Sequence, residues 1–287
     1  MSDHRMWLAF GRAVAVAAVV VAFVALQTGC ALRQTQKASP QRLVLATTTS
    51  TQDSGLLDVL VPAFETAHPE YAVEVIAVGT GEALRLGEQK DADVLLVHAP
   101  EDEAAFVAAG HGIERRDVCY NRFVLVGPAS DPAGAAHAAD AADALKRIAA
   151  RQALFASRGD DSGTHKKELA LWNAAGVKPG GAWYLVTGQG MGETLKIASE
   201  KQAYTLSDEA TFLTMRGSLD LAQLFDADQS LRNQYGVVPV TGAKNERGAR
   251  EFADWICGPD AQRLIARFGV DEFGRSLFVP NAQGGGS

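Results

Sequence analysis

The chain is short of cysteine, of basic charge and of catalytic signatures, and each shortage removes a class of function. Three cysteines in 287 residues are too few to staple a disulfide scaffold. Lys and Arg total 27 against 34 Asp and Glu, a net charge of −7. Non-specific nucleic-acid binding needs a basic surface, so that partner is excluded. On bulk electrostatics the same deficit argues against an anionic ligand. No serine lies in a G-x-S-x-G elbow. His4, His68, His98, His111, His137 and His165 lack the H-x-x-x-H and H-E-x-x-H spacings of zinc sites. Apolar residues, by contrast, are plentiful. They make up 47% of the chain, with 21% charged, enough for a sizeable core in one or two domains.

Residues 1–29 read as a signal segment. Arg5 and Arg12 precede an almost unbroken apolar run from Ala13 to Leu26. That run is short for a membrane span and suits an export signal. The small residues before Cys30 resemble a bacterial lipobox, in which the cysteine is lipidated and becomes the mature N-terminus. Gln27 departs from it, standing where an aliphatic residue is usual. An ordinary signal peptide cut near Ala31 and a retained anchor are the alternatives. All three put the rest of the chain on the periplasmic or extracellular side. Without the leader, 25 basic and 33 acidic side chains remain, a net of −8. Residues 30–40 read as a polar tether. Residues 281–287, which end in Gly284-Gly285-Gly286-Ser287, read as a disordered tail.

From Gln41 onward, short apolar runs alternate with helical patterns, as in an α/β protein. Strands are expected at Arg42–Ala46, Tyr71–Val78, Asp93–Val97 and Arg122–Val126. Leu56, Leu57, Leu60, Val61 and Phe64 share one helix face. The alanine-rich stretch 130–142 reads as a linker, after which the pattern restarts. Strands at Ala153–Ala156 and Trp183–Val186 each lead through a polar loop into a helix. Ser207 is a candidate cap for a helix running to Arg216. Further strands at Leu221–Phe225 and Gly236–Val240 precede helices at Glu246–Ile256 and Asp260–Phe268. In such sheets ligands bind beyond the carboxyl ends of strands, at helix N-termini.

Four loops occupy that position: Thr47–Ser54, Gly79–Gly81, Ser157–Thr164 and Thr187–Gly192. They share hydroxyls, glycines and free amides, which is hydrogen-bond donor chemistry. Arg158 adds a planar fork of donors with a permanent charge. Ser162 and Thr164 add hydroxyls, Gly163 permits close backbone approach, and the following helix adds its N-terminal dipole. An oxyanion fits such a loop. So does a plain helix cap, with Arg158 paired to an aspartate. Asp160 and Asp161 are adjacent, so they suit partners such as Arg158, Lys166 or Lys167 better than an acid/base pair. Thr47–Thr51 is five hydroxyls in a row, either a donor cluster or a solvated capping segment. Gly188-Gln189-Gly190-Met191-Gly192 is close to a dinucleotide fingerprint, but Glu193 stands where the third glycine is required. A nucleotide-dependent enzyme using residues 188–192 is therefore a remote alternative. Cys119 and Cys257 could pair only if the fold brings them together.

Several of these segments, in this order, resemble the tungstate-binding proteins of ABC importers, the TupA family. They are Thr47-Thr48-Thr49-Ser50, Asp93-Val94-Leu95-Leu96-Val97-His98 and Ser157-Arg158-Gly159-Asp160-Asp161-Ser162-Gly163-Thr164-His165-Lys166-Lys167-Glu168. Gly188-Gln189-Gly190-Met191 and Tyr204-Thr205-Leu206-Ser207-Asp208 add to them, and the likeness runs from about Leu43 to at least Val240. The resemblance implies a type II periplasmic-binding-protein fold: two α/β lobes, two crossover strands and the ligand in the cleft. Residues 41–126 with 238–280 would form one lobe and 127–237 the other. Arg158, Ser162, Gly163 and Thr164 would bind the oxyanion from the second lobe. Thr48, Thr49, Ser50 and Thr80 would bind it from the first, and Gln189, Gly190 and Met191 through backbone amides.

The implied protein is no enzyme and carries no cofactor or metal cation. It is a monomeric, lipid-anchored receptor that hands tungstate, or molybdate, to a membrane permease with its cytoplasmic ATPase. Tungstate is a tetrahedral dianion with acceptor oxygens only, so a donor pocket suits it. Phosphate near neutral pH keeps a proton part of the time and wants an acceptor, and sulfate is smaller. A receptor of the same fold for phosphate or sulfate is the nearer alternative.

Overall fold

The computed structural model describes residues 39–282. The signal segment, Cys30 and residues 283–287 lie outside the described residues. The first half runs β1 (Gln41–Thr48), α1 (Thr49–Asp53), α2 (Leu56–Ala67), β2 (Tyr71–Val78), α3 (Thr80–Glu88), β3 (Val94–Val97) and α4 (Pro100–Ala108). The long strand β4 (Arg116–Gly127) leads out of it. The second half holds α5 (Ala141–Ala150), β5 (Phe155–Ser157), α6 (Gly163–Ala174), β6 (Tyr184–Val186), α7 (Met191–Lys201), β7 (Thr205–Asp208), α8 (Glu209–Met215) and β8 (Ala222–Phe225). Strand β9 (Arg232–Pro239) returns, and α9 (Glu246–Cys257), α10 (Pro259–Arg267), α11 (Val270–Phe273) and β10 (Val279–Pro280) close the chain.

The main sheet has the order β10-β4-β9-β3-β1-β2, with β7 and β8 also pairing β4. β1 lies parallel to β2 and β3, while β9 is antiparallel to β3. β4 changes neighbours midway. Residues 116–122 pair with β9, and Phe123–Val126 pair with β7. β5 and β6 form a short parallel pair, joined to the rest by a bridge from Phe155 to Tyr204.

Strand alternation explains the layering. In β1, Leu43 and Leu45 face a core completed by α2 and α9, while Val44 and Ala46 face one completed by α3 and α4. The second half repeats the device in β4. Phe123 and Leu125 pack with α5 and α6, and Val124 and Val126 with α7 and α8. A sheet covered on both faces explains why these strands read as continuous apolar runs.

The structure departs from the sequence expectations in several places, among them β9, which begins at Arg232 rather than Gly236. Thr47–Ser54 is not a loop: Thr47 and Thr48 finish β1, and α1 follows at once. β4 begins at Arg116 rather than Arg122, its first part hidden by polar residues that suit a strand leaving the core. Helix α8 is capped by Asp208, whose carboxylate accepts from Thr211 N, and not by Ser207. Residues 130–142 are built into the fold. Ala133, Ala135 and Ala141 are buried, and the Asp131 carboxylate accepts from Ala135 N, Ala136 N and the Tyr204 hydroxyl at 2.8–2.9 Å. Small side chains there let backbone pack where a larger residue would not fit.

Cys119 and Cys257 are both buried and both free. The end of the chain is tied down as far as it is described, with Asn281 bonded to Gln234 and Ala282 N to Gln262. Among the described residues no helix is long and apolar enough to cross a membrane.

Candidate anion-binding site

Four strand-to-helix junctions meet between the two halves. At the first, Thr48 caps α1, its hydroxyl accepting from Thr51 N at 3.3 Å. The same hydroxyl lies 3.1 Å from Ser50 Oγ and 3.1 Å from His98 Nε2. Ser50 Oγ is also 3.1 Å from that ring nitrogen. His98 follows β3 and is buried. Desolvation, with the nearby Arg158 charge adding to it, pushes its pKa down to about 3. It is therefore a neutral ring that organises the hydroxyl run. Thr47 turns away to donate to Leu96 O at 2.7 Å.

Thr49 faces the other half. Its hydroxyl accepts from Arg158 Nη2 at 2.9 Å, across 109 residues of chain. Arg158, just past β5, is 1% exposed. Nη2 also meets Asp160 Oδ2 at 2.5 Å. Nε and Nη1 have no hydrogen-bond partner among the described residues. A buried guanidinium with two unpartnered nitrogens is costly unless an acceptor completes it. The Thr164 hydroxyl, buried in the first turn of α6, is likewise without a partner among those residues. Two buried donor nitrogens and a hydroxyl therefore suit an oxygen-rich ligand.

The remaining expected residues divide. Thr80 Oγ1 accepts from Gly163 N at 3.0 Å, joining the starts of α3 and α6 across the halves. The Ser162 hydroxyl caps α6, accepting from His165 N at 3.2 Å. Gly190 caps α7 against Thr49, and an added Cβ there would lie 3.3 Å from Thr49 Oγ1. Met191 is buried at the first turn of α7, with the N-terminal amides of that helix beside α1. Gln189 is exposed, and its N–H goes to Thr187 Oγ1.

Further contacts hold the halves together. Gly192 N donates to Asp53 at 3.1 Å, and Thr211 Oγ1 donates to Ser50 O at 3.1 Å. Lys166 pairs with Asp102 of α4 and with Asp161. A Cβ on Gly163 would fall 2.7 Å from His98 Nδ1, so the approach there requires glycine.

Two acids escaped the sequence reading. Asp208 is fully buried at the start of α8, its carboxyl raised by desolvation to about 6. Glu168 accepts from Trp172 Nε1 and Tyr184 OH, and burial pushes it up to about 7. A helix following Leu206 was the available signal for Asp208, since aspartate caps as well as serine does. For Glu168 the i,i+4 spacing to Trp172 in α6 was the available signal, while Tyr184 comes from β6 and spacing does not reveal it.

This architecture, with a donor cluster between two α/β halves, places the protein in a class of binding proteins: residues 34–260 match the PBP superfamily domain. The chain is 48% identical over 279 residues to the tungstate-binding protein TupA of Peptoclostridium acidaminophilum, covering 93% of this chain and 97% of the relative. It is 50% identical to the tungstate ABC transporter crystal structure from Geobacter sulfurreducens, with a TM-score of 0.72 over 79% of this chain and 99% of that one. TupA from Desulfovibrio alaskensis G20 gives 43% identity and a TM-score of 0.69 over 85% and 100%. The chain belongs to the TupA family.

Proposed function

We propose that the protein is the extracytoplasmic solute-binding component of an ABC importer, capturing tungstate and, as its nearest competitor, molybdate. The observation that carries this is Arg158: a buried cation with two nitrogens lacking an acceptor among the described residues, bonded across the halves to Thr49. The TupA names of the relatives give the ligand class. A phosphate or sulfate receptor is less favoured on the second count, since the donors of Arg158 suit any of these oxyanions.

In this function the halves act as lobes, residues 41–126 with 238–280 and residues 127–237, which close on the ion. Arg158, Thr164, Thr49 and the first amides of α7 at Gly190 and Met191 touch it directly. Thr48 and Ser50 join through the hydroxyl cluster on His98. Thr80, Ser162 and Gly163 hold the two loops in register, and Gln189 lies at the rim. Arg158 cannot alone neutralise a dianion, so the dipoles of α1, α6 and α7 share the work.

The receptor has no catalytic step and needs no cofactor. It works as a monomer, anchored through a lipidated Cys30, and delivers its ion to a permease with a cytoplasmic ATPase. Thermal-shift and calorimetric titrations against tungstate, molybdate, sulfate and phosphate test it. Ligand stabilisation follows RT ln(1 + [L]/Kd), so tungstate should give the largest shift. A larger shift with phosphate or sulfate would reassign the ligand.

A further inference from the structure

We propose that Asp208 is a proton-bearing contact of the bound oxyanion, so that tungstate is captured together with one proton. This rests on the oxyanion function above and adds a group that the donor-only description lacks.

Asp208 ends β7 and caps α8. Its Oδ1 accepts from Thr211 N at 2.9 Å and from Asn121 Nδ2 at 3.4 Å. Its Oδ2 is buried and has no hydrogen-bond partner among the described residues. Helix α8 rests on the hydroxyl run, since Thr211 Oγ1 bonds Ser50 O. The Arg158 charge is near enough to act on this carboxyl, and both groups carry buried polar atoms without a partner among the described residues.

The groups facing Asp208 are few. The backbone N–H and side chain of Thr211 in α8 favour its charge, as does Arg158 from the β5–α6 loop, and Asp53 from α1 opposes it. Strand β9 presents the un-ionised phenol of Tyr235, and β4 the neutral amide of Asn121. Arg158 is already shared with Asp160. Desolvation is the largest influence and favours the neutral acid.

Bringing a dianion to Arg158 adds two negative charges beside this carboxyl. Like charges that close cannot all remain. The carboxylate then takes a proton from the buffer, and the new O–H donates to a tungstate oxygen. No bond of the tungstate breaks, and the only transfer is one proton to Oδ2. A group whose proton affinity rises on binding makes affinity fall as pH rises, and the fall begins above the free carboxyl's own titration.

Calorimetry of tungstate binding between pH 6.5 and 9, in pairs of buffers with different ionisation enthalpies, counts the protons. Uptake approaching one proton per tungstate is expected, with affinity falling towards tenfold per pH unit. D208N should lose both the uptake and the pH slope, whatever its affinity at pH 6.5, and an asparagine cap keeps α8 in place. E168Q removes a second raised carboxyl, Asp53 being a third, and should keep the wild-type proton count. Tungstate binding without proton uptake overturns the role of Asp208 while leaving the receptor function intact. Uptake that survives in D208N, or disappears in E168Q, also overturns it. Failure of the wild type to bind tungstate at any pH overturns the receptor function and this role with it.

Discussion

Replacing Arg158 with alanine should cost the receptor most of its affinity and little of its fold. Nε and Nη1 are the two buried donors without a protein acceptor. Hydrogen bonds to charged groups are worth about 1.5–3 kcal/mol each, so the pair supplies about 3–6 kcal/mol. At 1.4 kcal/mol per decade, that is a loss of roughly 10²- to 10⁴-fold in affinity. The structural cost is smaller. Asp160 loses its arginine but keeps Ser162 N, and its side chain is 17% exposed, so water can reach it. Arg158→Lys keeps the charge and loses the planar fork, so it should fall between wild type and alanine. Titration calorimetry with tungstate at pH 7, beside a thermal melt of each variant, makes the measurement. A folded Arg158→Ala protein that binds within about fivefold of wild type would refute the placement of the anion on this guanidinium.

Gly163→Ala places a Cβ 2.7 Å from His98 Nδ1 and 3.0 Å from the His98 carbonyl. Overpacking costs about 1–3 kcal/mol, so tungstate binding should weaken roughly fivefold or more, and small-angle scattering with tungstate should show a less compact particle. Unchanged scattering and affinity would count against closure at this contact. Glu168 has its carboxyl raised from 4.5 to about 7. Its stabilising contribution is complete below pH 4.5 and is lost as pH climbs through 7. Glu168→Gln should therefore raise stability at pH 8 by up to about 3 kcal/mol and do little at pH 4.5, read by denaturant melts at the two pH values. Non-reducing mass spectrometry should find Cys119 and Cys257 as free thiols. A bridged peptide would contradict the structure.

Much of the fold is written locally. Tyr71–Val78 coincides with β2, and the helix face of Leu56, Leu57, Leu60 and Phe64 is the buried face of α2. Apolar spacing alone carries those two. The hydroxyl run was harder, because threonine and serine suit both a loop and a cap. Only the cap bond from Thr48 and the neighbouring His98 decide for a helix there. The start of β4 was hidden for a related reason, since a strand leaving one core for another carries polar residues in the interval. At the site, Arg158 and Thr49 were expected together and do meet. The arginine's carboxylate partner was also expected and is Asp160. Asp208 is legible as a helix cap, but its complete burial beside groups from other elements is not encoded in sequence spacing. Net charge is a poor guide to the ligand of the proposed site, because one buried cation and aimed dipoles would act locally whatever the total charge.

The continuity of β4 and β9 has a mechanical consequence. The two strands stay hydrogen-bonded to each other through the waist, with Asn121 opposite Asn233 and Arg122 opposite Arg232. A ladder of that kind flexes and twists readily but resists sliding, because sliding breaks every rung at once. In the proposed receptor, opening would be an angular swing about this ribbon. The donors on either side would return to the same registration at each closure, with no search for alignment added to the time taken to trap an ion.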